Sequence, residues 1–162
     1  MAIPRESLIL LSGVPATGKS TFGRYLAREH RFAHYDLECH PRGWPHPELK
    51  ATWDTSRQTF VAQLRKLHNR VALDWGFPVR CLPIVKELEA QDVRLISFDG
   101  ERRRARVVFQ ERGGLDLSDF DVQIREIDAA GYPKTLDCVV VHALLDSGAF
   151  LDPKAIEHKV FP

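Results

Sequence analysis

Residues 13–20 read Gly-Val-Pro-Ala-Thr-Gly-Lys-Ser, the spacing G-x-x-x-x-G-K-[ST]. Such a loop suits phosphate. Its glycines let the backbone curl until N–H groups face phosphate oxygens, and a helix opening at Lys19 adds the positive end of its dipole. In that arrangement Lys19 reaches the β and γ phosphates of a nucleotide and the Ser20 hydroxyl ligates Mg²⁺. Gly13, Ala16, Thr17, Gly18 and Thr21 complete the cradle, so ATP and Mg²⁺ are the expected cofactors. A glycine turn that only joins a strand to a helix is the plain alternative, and the flanking pattern argues against it.

Three further groups of residues can do chemistry. Asp74 closes an apolar run, a position from which a carboxylate can hold Mg²⁺ or a Mg²⁺-bound water; it could equally face an acceptor or cap the Trp75-Gly76 turn. Arg102 and Arg106 share a helical face by i,i+4 spacing, while Ala105, Val108 and Phe109 form an apolar stripe. Guanidinium groups so placed neutralise charge on a transferring phosphoryl group, or else make a solvated basic face. His34, Cys39, His40 and His46 do not reproduce a recognisable zinc spacing. Trp44, between Gly43 and Pro45, either lines an acceptor pocket or packs its own loop.

These residues need elements to position them. Residues 7–12 are a short continuous apolar run, as in a strand buried on both faces; Phe22, Tyr25 and Leu26 then predict a helix over about 19–30. Further strands are expected at 33–37, 70–73, 93–98 and 138–142. Helices are expected from 55 onward through Phe60, Val61, Leu64 and Leu67, and at 82–90, 101–112 and 117–130, while 153–160 reads as a terminal helix or a loosely held tail. Residues 39–47, with Pro41, Gly43, Pro45 and Pro47, read as a functional loop. Alternation of this kind implies a parallel sheet covered on both sides, with ligands at the carboxyl ends of the strands. Gly13, Asp36, Asp74 and Asp99 then share one rim.

With 162 residues, 44% apolar and 28% charged, the chain suits one ordered domain over 1–162 rather than a disordered or membrane protein. The start is too short in apolar residues for a secretory signal, and three cysteines in unlike contexts suit reduced thiols, so a cytoplasmic location is expected. A net charge of +1 supplies no global field for nucleic acid or an anionic membrane.

Four segments together resemble the small P-loop kinases related to polynucleotide kinase, zeta-toxin and gluconate kinase: GVPATGKST at 13–21, HYDLE at 34–38, VALDWGF at 71–77 and ISFDGERRRARVVFQER at 96–112. The resemblance implies an α/β P-loop NTPase fold of the nucleoside-monophosphate-kinase kind, a five-stranded parallel sheet sandwiched by helices. It implies that Asp36, which could otherwise be a strand-end cap or turn residue, takes the acceptor's proton and that a lid at about 99–114 carries Arg106 and Arg112 as its paired arginines. Arg42 follows the acid only after Cys39 and His40, where polynucleotide-kinase-like chains place an arginine closer. The expected activity is transfer of the γ-phosphate of ATP to a hydroxyl of a small molecule. A 5′-hydroxyl at a nucleic-acid end is the second acceptor class, and a nucleotide-binding regulator or ATPase without acceptor the third reading.

Overall fold

Ser7–Gly13 has almost no polar side chain to present to water, and it forms the central strand β1 of the computed structural model, which describes residues 3–162. The order continues α1 (Lys19–His30), β2 (Ala33–Asp36), α2 (Lys50–Thr55), α3 (Arg57–Leu67), β3 (Arg70–Asp74), α4 (Leu82–Glu89) and β4 (Arg94–Gly100). It ends with α5 (Arg102–Arg112), α6 (Leu117–Ala129), β5 (Cys138–Leu144) and α7 (Pro153–Val160). The five strands make one sheet in the order β2-β3-β1-β4-β5, every pair parallel. Parallel neighbours need crossovers, and the helices supply them.

Period-two alternation sends each strand's side chains to two cores. Ile9 and Leu11 of β1, Ala72 of β3 and Phe98 of β4 pack under α1 and α7 against Phe22, Leu26, Ile156 and Val160. Leu8, Leu10, Tyr35, Val71 and Leu73 point the other way, against Phe60, Val61 and Leu64 of α3 and Val85 and Leu88 of α4. Each large side chain fully buried this way, such as Phe22 or Phe60, contributes about 1.5–3 kcal/mol. A third, smaller cluster sets Val14 and Ala16 of the loop after β1 against Ala105, Phe109 and Phe120 of α5 and α6. The glycine-rich loop is therefore held by α5 and α6 as well as by the sheet.

The helix expected from Thr55 is α3, which starts at Arg57 and is preceded by a separate short helix. Ser56 is extended, with φ −155°, and its hydroxyl accepts the Thr59 N–H at 3.2 Å, so it ends α2 and caps α3. The six residues of α2 were not expected; Trp53 anchors them by edge contacts with Phe60 and Trp75 at 5.3 and 5.2 Å. Trp44 is 3% exposed and packs its own loop, its ring against Tyr35 and Phe60. The three cysteines are free thiols. Among the described residues no helix is long and apolar enough to cross a membrane.

Candidate functional site

The alternation that builds the α1-facing core turns polar at the carboxyl ends of the strands. Gly13 closes β1, Asp36 closes β2, Asp74 closes β3 and Asp99 lies one residue from the end of β4. Asp36 and Asp74 are register partners on adjacent strands, about 4.8 Å apart along the sheet. Gly13 has φ +110°, and a Cβ there would overlap the Phe98 carbonyl oxygen and stand 2.8 Å from its nitrogen. Only glycine allows β1 to turn off the sheet so close to β4.

The turn then winds through Ala16 at φ 60° and Gly18 at φ 99° into α1. Among the described residues no side chain caps Gly18, and no acid stands in the first turn of α1. The leading N–H groups of this helix are thus left for an anion, as a phosphate cradle requires. Thr17 Oγ1 donates to the Val14 carbonyl at 2.7 Å, tying the loop across its own base. Lys19 reaches back over it, its Nζ donating to the Val14 carbonyl at 2.8 Å and more weakly to the Gly13 carbonyl at 3.5 Å.

Lys19 is 9% exposed. Burial pulls its ammonium below the ordinary lysine range; Asp74 and Glu38 push it back up, and the positive charge of Arg112 pulls it down further. Asp74, Glu38 and Arg112 are thus the charges that act on this ammonium group. Burial alone would raise the Asp74 carboxyl, but the His34 ring, the Ser20 hydroxyl and the Lys19 charge outweigh it and hold the group below the ordinary aspartate range. Asp74 Oδ2 is buried and has no hydrogen bond. An ionised, under-bonded carboxylate facing the Ser20 hydroxyl is an all-oxygen donor set that fits a hard divalent cation such as Mg²⁺.

Glu38 was missed in the sequence because it lies in the turn after β2, where no periodicity speaks for it. Its Oε1 lies 3.6 Å from the point where a Gly76 side chain would begin, a point 3.9 Å from Lys19 Cε. Burial pushes the Glu38 carboxyl above the ordinary glutamate range; Lys19 draws it down, Asp36 and Asp74 raise it, and the Gly76 N–H draws it down. Asp36 is committed to its turn. Its N–H donates to the Gly43 carbonyl at 2.8 Å, and its Oδ1 accepts the Glu38 N–H at 3.1 Å. The two carboxylates thus flank one bend, with Glu38 the one whose charge is felt at Lys19.

On α5, Arg106 makes two bonds to the Asp121 carboxylate of α6, at 2.9 and 3.1 Å. Arg102 bonds to Asp99 and Asp128. Both arginines face α6 and are occupied by acids, whereas the charge of Arg112, at the exposed end of α5, reaches Lys19. Gln123 of α6 donates to the Gly76 carbonyl at 2.9 Å and so ties α6 to the loop after β3. The remaining sequence candidates disperse: His40 bonds to the Pro47 carbonyl, His46 to Glu48, and Cys39 is half-buried. His34 alone of that group turns inward, to Asp74.

No family profile matches the chain. No curated protein matches it either. Solved structures do. The chain is similar to a sugar kinase from a Janibacter species at TM-score 0.62 and 17% identity, covering 95% of this chain and 91% of that one. It is similar to shikimate kinase from Bacteroides thetaiotaomicron at TM-score 0.57 and 16% identity, over 95% and 94% of the two chains. A gluconokinase from Sinorhizobium meliloti follows at 0.55 and 16%, over 98% and 91%. The chain has the small P-loop kinase fold. The likeness runs from end to end, so the shared architecture takes in helices α5 and α6 as well as the sheet. At 16–17% identity it speaks for the fold, and the chemistry rests on the side chains described above.

Proposed function

We propose that this chain is an ATP- and Mg²⁺-dependent phosphotransferase that moves the γ-phosphate to a hydroxyl of a small-molecule acceptor. The observation that carries the reading is Lys19, buried across a loop of free N–H groups, with the charges of Asp74, Glu38 and Arg112 felt at its ammonium. A structural lysine is rarely buried among so few fixed partners. A phosphate chain entering the loop supplies the anionic partner that two backbone carbonyls replace only in part.

The loop N–H groups and Lys19 bind and orient the β and γ phosphates. Ser20 and Asp74 would hold the cation, which supplies charge neutralisation between those phosphates. The nucleoside has space beside the loop in a cleft of about 540 Å³ lined by Gly100, Glu101, His142, Leu144 and Ser147, next to the Phe150 ring that packs on Gly18. As the acceptor oxygen bonds to the γ-phosphorus, the bond from that phosphorus to the β–γ bridging oxygen breaks and ADP leaves. The acceptor's proton passes to a carboxylate at the bend after β2, Asp36 or Glu38. Arg112, with Arg106 once freed from Asp121, would meet charge on the moving phosphoryl group.

A small acceptor suits the site better than a nucleic-acid end, because Arg102 and Arg106, two of the five arginines between residues 102 and 112, are neutralised by Asp99, Asp128 and Asp121. The reading is tested with γ-labelled ATP against sugars, nucleosides, aminoglycosides and 5′-hydroxyl oligonucleotides. A labelled small-molecule product that requires Lys19 supports it; hydrolysis without any product supports an ATPase instead. Salt-sensitive labelling of the oligonucleotide would move the acceptor to a nucleic-acid end.

A further inference from the structure

Three elements meet behind Asp74 in an arrangement that packing alone does not require. His34 stands opposite Ala72 in the β2–β3 register, one pleat before the Asp36–Asp74 pair, so its ring lies on the same sheet face as Asp74. Its Nε2 is 3.5 Å from Asp74 Oδ2, and its side chain is 14% exposed. Neither atom has a hydrogen bond. Two buried polar atoms left open against each other cost more than an apolar pair of the same shape, so their retention calls for a reason.

Helix α1 is built around the contact. Ser20, which faces Asp74, and Gly23 are three residues apart and share one helical face. A Cβ at Gly23 would overlap the His34 ring, with Cδ2 at 2.7 Å and Cε1 at 2.9 Å. The helix therefore gives up a side chain in its interior, at about 1 kcal/mol relative to alanine, where the imidazole must fit.

We propose that His34 is a positioning residue for the cation site, its Nε2–H directed at Asp74 Oδ2 so that the carboxylate keeps a fixed orientation and presents its remaining lone pairs to the metal beside Ser20. A ligating carboxylate that is itself hydrogen-bonded holds its metal more tightly, and losing such an outer partner typically weakens binding by about 10–100-fold. The gap of 3.5 Å is a few tenths of an ångström beyond a good N–H···O bond, which a small ring rotation closes. An N–H donor serves whether the ring is neutral or charged. The inference rests on the phosphate-loop reading, since without nucleotide the site has little to hold a cation.

The test measures Mn²⁺ binding to the protein–ADP complex by electron paramagnetic resonance, with metal-free ADP affinity and melting temperature alongside. In His34→Leu, Mn²⁺ affinity falls about 10–100-fold while metal-free ADP affinity and melting temperature stay near wild type. His34→Gln, which can place an amide N–H near the Nε2 position, recovers most of the loss. Gly23→Ala, which displaces the ring while leaving it in the chain, weakens Mn²⁺ as His34→Leu does. Unchanged Mn²⁺ affinity in His34→Leu, an equal loss of metal-free ADP, or failure of His34→Gln to recover overturns the positioning role. A wild-type protein that binds neither ADP nor Mn²⁺–ADP overturns the phosphate-loop reading itself, and this inference with it.

Discussion

Lys19 Nζ donates to the Val14 carbonyl at 2.8 Å, so the cation that should grip a nucleotide grips its own loop in the free protein. Phosphate has to displace that bond. Because burial lowers the Lys19 pKa in the folded state, its charge is a cost to folding near neutral pH, and that cost fades as pH rises toward the ordinary lysine value. Lys19→Met should therefore leave the unliganded melting temperature unchanged or raise it, while cutting phosphoryl transfer by at least about 10²-fold. A scanning-fluorimetry series checks both: the wild type should gain about 2.7 kcal/mol at 100-fold saturation with Mg²⁺–ATP, and the variant far less.

Gly13 and Phe98 set a stability prediction that no ligand enters. Gly13→Ala combines an unfavourable φ of +110° with overlap of the Phe98 carbonyl, the acceptor of the Val14 N–H at 2.9 Å. The expected loss is about 3 kcal/mol or more in urea unfolding, most of it from backbone shifts between β1 and β4. Gly113→Ala is the contrast. A Cβ there meets nothing within 4 Å, so only the backbone, at φ 65° and ψ 177°, opposes it and the loss should be about 1–3 kcal/mol with no shift of neighbouring strands.

Asp36 and Glu38 are separable by pH. Glu38 has a folded pKa above the ordinary glutamate value, so its contribution to stability is present at low pH and is lost as pH rises through that folded pKa. Glu38→Gln should accordingly remove a small decline in stability on the way from acid to neutral pH. If Glu38 takes the acceptor's proton, kcat/KM falls as pH drops through the same pKa, and Glu38→Gln lowers kcat about 10²–10⁴-fold without that acid limb. Asp36→Asn should leave ATP binding intact; if it alone abolishes transfer, Asp36 is the base, as the sequence suggested.

Arg106 and Arg112 differ in what they must leave. Arg112→Ala should lower kcat by about 10–10³-fold with little change in nucleotide affinity, as a charge used mainly in the transition state does. Arg106 has to release Asp121 first, so Asp121→Asn should keep or raise kcat while Arg106→Ala lowers it. Small and equal effects of Arg106→Ala and Asp121→Asn on stability, with none on kcat, make the pair a structural clasp between α5 and α6. Steady-state kinetics with a product-forming acceptor decides among these outcomes.

What the sequence by itself determined is the part governed by local pattern. The apolar run of residues 7–12, the eight-residue loop at 13–20 and the helical stripe of Phe22, Tyr25 and Leu26 specify strand, phosphate turn and helix without reference to distant residues. Strand–helix alternation then implied a parallel sheet. Helix α2 was not legible because its six residues bury a single anchor, Trp53, too few to set a period. Three-dimensional placement decided the rest. Glu38 sits beside Lys19 because the bend after β2 folds back against Gly76, and Arg106 is bound to Asp121 because α6 returns antiparallel to α5. His34 meets Asp74 because two strands far apart in sequence pair in register under a helix that has a glycine at the point of contact. Such meetings depend on long-range register and on which arginines find acids first, and electrostatic and packing energies of that kind exist only once distant segments are brought together.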